Sequence, residues 1–160
     1  MKKIIAITAA SLLSLTLFAQ SGKNIYSKYS DKQNVSAVYI SPSMFNLIGK
    51  LPEMDMSGTD MDFSSIIRSL KGFYLIESSN VSINSSLLKD VDNLVKSGNY
   101  ELLMEAKESG ETVHFYTVGD KETITNFVMV VQETSSCTFI CMEGNMSRAK
   151  LEEIIAKEVN

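Results

Sequence analysis

The chain has 160 residues, 44% of them apolar and 21% charged, with a formal net charge of −4. That apolar share supports a packed core and excludes a disordered tail. No basic run follows Lys3, and the balance is acidic. This argues against a nucleic-acid backbone as partner, because neutralising phosphates needs clustered Lys and Arg.

The first twenty residues, "MKKIIAITAASLLSLTLFAQ", place Lys2 and Lys3 ahead of an uncharged apolar run from Ile4 to Phe18. This is the pattern of a cleaved secretory signal. The run is shorter than the roughly 20 apolar residues a membrane span needs. No cysteine near its end offers a site for lipid attachment. Residues 1–20 are therefore expected to be a signal peptide and 21–160 a single domain in the periplasm or outside the cell. Losing Lys2 and Lys3 without an acid leaves 13 basic against 19 acidic side chains, a mature charge of −6.

"GKNIYSKYSDK" offers Ile25, Tyr26 and Tyr29 on one side of a short helix. "NVSAVYIS" (34–41) alternates and is β-branched, which predicts a strand. Ser41-Pro42 opens a helix whose inner face holds Met44, Phe45, Leu47, Ile48 and Leu51, since proline suits a first helical turn. "PEMDMSGTDMD" (52–62) breaks the pattern. A short helix over 63–70 follows, with Asp62 as its expected N-cap. "GFYLIESS" (72–79) is nearly continuous in apolar residues, as a buried strand is. Ile83, Leu87, Leu88, Val91, Leu94 and Val95 then make a helical stripe that ends at Ser97-Gly98.

Four strands are expected next, over 100–108, 112–119, 125–133 and 136–144. Their short connectors predict hairpins and an antiparallel meander. Leu151, Ile154 and Ile155 mark a final helix. The order β-α-α-β-α-β-β-β-β-α predicts an α+β fold, a mainly antiparallel sheet with helices packed on one face.

Cys137 and Cys141 are the two cysteines. Four residues apart in a strand, they share a face with Cα atoms about 13 Å apart. A disulfide needs less than about 7 Å, so this pair cannot bridge, and inert buried thiols are expected. His114, the sole histidine, reads as a half-exposed strand residue. A Cys–His enzyme built on His114 with Cys137 or Cys141 ranks last among three functional readings, because no cysteine-nucleophile signature surrounds either thiol. Glu53, Asp55, Asp60 and Asp62 invite a calcium loop, but methionines fill the alternating slots and the terminal glutamate is missing. Met54, Met56, Met61 and Phe63 either tuck under the loop into the core, the reading slightly preferred, or form an adaptable partner contact, since thioethers repack readily. No catalytic, cofactor-binding or metal residue is expected, and no cofactor.

Three stretches, "IYSKYSDKQNVSAVYISPSMFNLI", "VHFYTVGDKETITNFVMVVQE" and "FICMEGNMSRAKLEEI", resemble a family of exported Bacteroidetes proteins known as domain of unknown function 4252. The resemblance covers most of the chain after the signal and carries no active site. It implies a setting in envelope signalling; some relatives are lipid-anchored, and this chain lacks the cysteine for that. The leading expectation is a small exported domain without catalysis that binds another envelope protein or itself. The alternative is a carrier of a small apolar ligand.

Overall fold

The computed structural model describes residues 21–48 and 64–158. The expected signal peptide and the segment 49–63 lie outside these. The elements are α1 (Gly22–Tyr29), β1 (Val35–Ile40), α2 (Pro42–Ile48), α3 (Ser64–Ser69), β2 (Leu70–Ser78), α4 (Val81–Ser97), β3 (Glu101–Glu108), β4 (Glu111–Gly119), β5 (Thr123–Gln132), β6 (Cys137–Ser147) and α5 (Arg148–Glu158). All six strands form one antiparallel sheet in the order β1-β2-β6-β5-β4-β3.

Local chemistry explains the boundaries. Ser21 caps α1 by accepting from the Asn24 amide at 3.2 Å. Ser41 does the same for Met44 at 3.2 Å, with Pro42 as the first helical residue, as expected. Asn80 caps α4 by accepting from Ser82 and Ile83. At the other end Asn99 takes the left-handed conformation (φ 53°) that turns the chain into β3. The hairpin from β4 to β5 is tied by Asp120, whose carboxylate accepts from the amides of Glu122 and Thr123 at 2.8 and 2.7 Å.

The meander β3-β4-β5-β6 matches the expectation. Its closing strand then inserts between β5 and β2, so β2 pairs with β6 from Ser78↔Cys137 to Leu70↔Gly144. The helix expected over 63–70 gives way at Leu70, where β2 already begins. Asp62, its expected cap, is outside the described residues.

Helices cover both faces of the sheet, which corrects the one-face expectation while keeping the α+β class. On one face α1 and α4 bury Ile25, Tyr29, Leu87, Val91, Leu94 and Val95 against Tyr74, Ile76, Val128, Val130, Cys137, Phe139 and Cys141. On the other, Phe45 of α2, Ile66 of α3 and Leu151 of α5 pack with Leu70, Ile124, Phe127 and Met146. The physical reason is visible along β2. Tyr74 and Ile76 serve the first face, Phe73 the second, so neither face is polar and both need a roof.

Gly22 lets α1 sit directly on β6. A Cβ there would come within 2.8 Å of the Cys141 Cβ, closer than packed atoms tolerate. Across the same face, the Tyr29 hydroxyl donates to Asp90 at 2.7 Å, and the Lys28 ammonium meets the same oxygen at 2.6 Å. This polar clamp joins α1 to α4.

Candidate functional site

Among the described residues, the second face is roofed only in part. One cross-strand row, Ile40–Phe73–Met142–Phe127, lies against the α2, α3 and α5 core. The row beside it is Val38–Leu75–Ile140–Met129–Phe115–Met104, one residue from each strand in direct register. Every member is apolar. Leu75, Ile140, Met129, Phe115 and Met104 are half-buried, and Val38 at the sheet edge is 45% exposed. The helix leaving that edge, α2, buries Phe45 but presents Met44 and Leu47, 47% and 58% exposed, which corrects their expected place on its inner face. An apolar band thus crosses the sheet and emerges at the corner built by β1 and α2.

The opposite side of the same corner is aromatic. Tyr39 of β1 stacks on Tyr74 of β2 with ring centroids 5.2 Å apart, and Tyr26 of α1 tilts against both at 5.9 Å. Tyr39 is 46% exposed. Four large apolar side chains, Val38, Tyr39, Met44 and Leu47, therefore meet solvent within ten residues of sequence. Apolar side chains grouped at one corner, on both of its sides, make that corner a candidate interaction site, whereas single exposed apolar residues do not. The strand pattern of β1 was readable from sequence, but its position at a sheet edge was not.

Met54, Met56, Met61 and Phe63, the candidate partner contacts, lie outside the described residues, as do Glu53, Asp55, Asp60 and Asp62. The helices flanking that segment, α2 and α3, both pack on the partly open face through Phe45 and Ile66.

Both thiols are free and fully buried on the α1/α4 face, in agreement with the sequence reading. Burial pushes the Cys137 thiol up to about 11 and the Cys141 thiol further still. An activated thiol needs the opposite shift. His114 bonds Glu105 at 2.7 Å, while Lys107, 2.8 Å from the other carboxylate oxygen, and then His114 hold that carboxyl below its usual range. Imidazole and thiol are not brought into contact by any hydrogen bond. A thiol reagent added to the native protein should leave Cys137 and Cys141 unmodified, and both should react in denaturant. Mass spectrometry of the two samples checks this, and rapid native labelling would revive the cysteine enzyme.

A second titratable feature lies under α1. Burial raises the pKa of the half-buried Glu143 carboxyl, with Lys23 opposing the shift. Burial, then Glu143, pushes the Tyr74 phenol to about 12. A carboxyl with a raised folded-state pKa binds its proton more tightly in the native protein. Its ionisation therefore removes stability as pH climbs from the ordinary glutamate value through the raised one. Glu143→Gln should flatten that part of the stability–pH curve relative to wild type, as read from urea midpoints at a series of pH values.

No three of His, Cys, Asp or Glu gather to hold a metal ion among the described residues. Nor is any described helix long and apolar enough to cross a membrane. A shallow depression of about 350 Å3 opens between the β3–β4 and β5–β6 hairpins, lined by Lys107, Glu108, Glu111, Thr112, Gln132 and Glu133 among others. Its lining is polar and charged.

A family model described as Domain of unknown function (DUF4252) matches residues 29–154, which takes in all six strands. No curated protein and no solved structure matches the chain.

Proposed function

The chain belongs to the family described as Domain of unknown function (DUF4252), and on that premise we propose that it is an exported envelope domain without catalysis that binds a protein. The bound protein is an envelope partner or a second copy of the chain, and the setting is envelope signalling. The observation that carries this reading is the apolar band that surfaces at the β1/α2 corner through Val38, beside Met44 and Leu47, with Tyr39 exposed on the other side of the same corner. Burying such a band gains roughly 25 cal/mol per Å2 of apolar area removed from water, before the cost of association. Export rests on the N-terminal "MKKIIAITAASLLSLTLFAQ". The buried, unactivated thiols support a non-catalytic role.

The test joins cell fractionation with an association measurement. The protein expressed from the full sequence should appear in the envelope or periplasmic fraction, shortened at its N-terminus. It should sediment as an oligomer, or retain an envelope protein that the Met44→Glu/Leu47→Glu double variant does not retain. A cytoplasmic location, or a monomer that retains nothing beyond what the double variant retains, overturns the reading.

A further inference from the structure

The two edges of the sheet differ in how they meet a further strand. Edge β3 carries Glu101, Glu105, Lys107 and Glu108, and its register breaks between Leu102 and Met104. Charges and a bulge both obstruct strand addition. Edge β1 has neither. Its sequence Val35–Ile40 reads VSAVYI, with no charge and no proline, and its register with β2 runs unbroken over all six residues. Among the described residues it pairs with β2 alone. A regular, uncharged edge with exposed Val38 and Tyr39 is a template for another strand.

We infer that this strand is β1 of a second copy, paired antiparallel about a two-fold axis that passes normal to the sheet at Val38. The inference rests on the protein-binding reading above and gives its β1 edge one occupant. An axis normal to the sheet keeps like faces together, and residues directly opposite in an antiparallel ladder share a face. On this axis Val38 faces Val38, Ala37 faces Tyr39, and Ser36 faces Ile40. The match is one that the strand makes with itself. No charge opposes a charge, and the small Ala37 leaves room for the half-exposed Tyr39 ring. The band from Met104 to Val38 runs on from one copy into the other without a polar break. A foreign strand would take the backbone hydrogen bonds but not this self-matching of side chains.

The experiment uses protein expressed from the full sequence. Wild type should sediment as a dimer, and Val38→Lys, which sets two ammonium groups face to face, should weaken the dimer about tenfold or more. Cysteine scanning reads the register independently of folding changes. Two copies of Val38→Cys would stand with Cα atoms about 4.5–5.5 Å apart and form an intermolecular disulfide under mild oxidation. Two copies of Ser36→Cys would be about 13 Å apart and should not. The native thiols are fully buried, so wild type serves as the blank.

A wild-type monomer, a dimer insensitive to Val38→Lys, or cross-linking as strong from position 36 as from 38 overturns the inference. If association survives Val38→Lys but is lost in the Met44→Glu/Leu47→Glu variant, the edge pairing fails while the protein-binding reading stands. If no variant associates and wild type neither associates nor retains a partner, both fail.

Discussion

Phe139→Ala lowers the free energy of unfolding by about 3–5 kcal/mol, the range for truncating a large aromatic side chain in a closed core. Phe139 is fully buried in β6, itself flanked by β2 and β5, with Ile76 and Val130 as its cross-strand partners. All three side chains belong to the α1/α4 core, so the cavity opens beneath two helices and between three strands. None of these elements can close it alone, because each is fixed by ladder hydrogen bonds or by the neighbouring helix. Urea unfolding checks the value: the midpoint falls while the slope of free energy against denaturant stays near that of wild type. A loss below about 1 kcal/mol would mean that the roof over β6 collapses freely, contrary to the packing described.

The second large effect is expected at Asp90. Its carboxylate accepts from the Tyr29 hydroxyl, and its ion pair with Lys28 leaves the Asp90 side chain only 12% exposed against 55% for the lysine. Asp90→Ala should cost about 2–3 kcal/mol, from a lost charge-assisted bond and a buried phenol left without its acceptor. The lysine contributes little to that figure, since its exposed ammonium returns to water. Tyr29→Phe separates the contributions, because it removes the phenol and its need for a partner together. The double variant should then lose less than the sum of the singles, and a double-mutant cycle by thermal or urea unfolding measures the coupling. Strict additivity would show that the clamp between α1 and α4 carries no energy of its own.

How much of this was readable before the fold depends on whether the controlling interaction is local. The β3-to-β6 meander followed from connectors too short for anything but hairpins, and α4 followed from a stripe with helical period that ends at Gly98. The cysteines followed too: once 137–141 is extended, pleat alternation puts both on one face and keeps them apart. The insertion of β6 beside β2 is non-local and has no signature in either segment. The second roof was harder still. Phe73 and Tyr74 are both apolar neighbours in sequence, and such a run reports burial without saying which helices supply it. Nothing local to Asp90 announces its role, because the phenol that it accepts from is brought over by α1. The candidate surface was missed for the same reason, since an alternating strand reads alike at an edge and in the middle of a sheet. The methionine-rich stretch that drew attention instead falls between α2 and α3, outside the described residues.

The placement of β6 bears on when the fold becomes available to a chain emerging from a ribosome. Until Cys137–Ser147 is synthesised, β2 has only β1 beside it, and the β3–β5 ribbon has no link to that pair. An isolated two-stranded pair is marginally stable at best in water, so β1 and β2 gain little by pairing early. Closure waits on the pairing of β2 with β6, which is slow because the long stretch between them must be ordered first. The nascent polypeptide therefore stays loose until β6 itself has been made, however early β1 and β2 emerge.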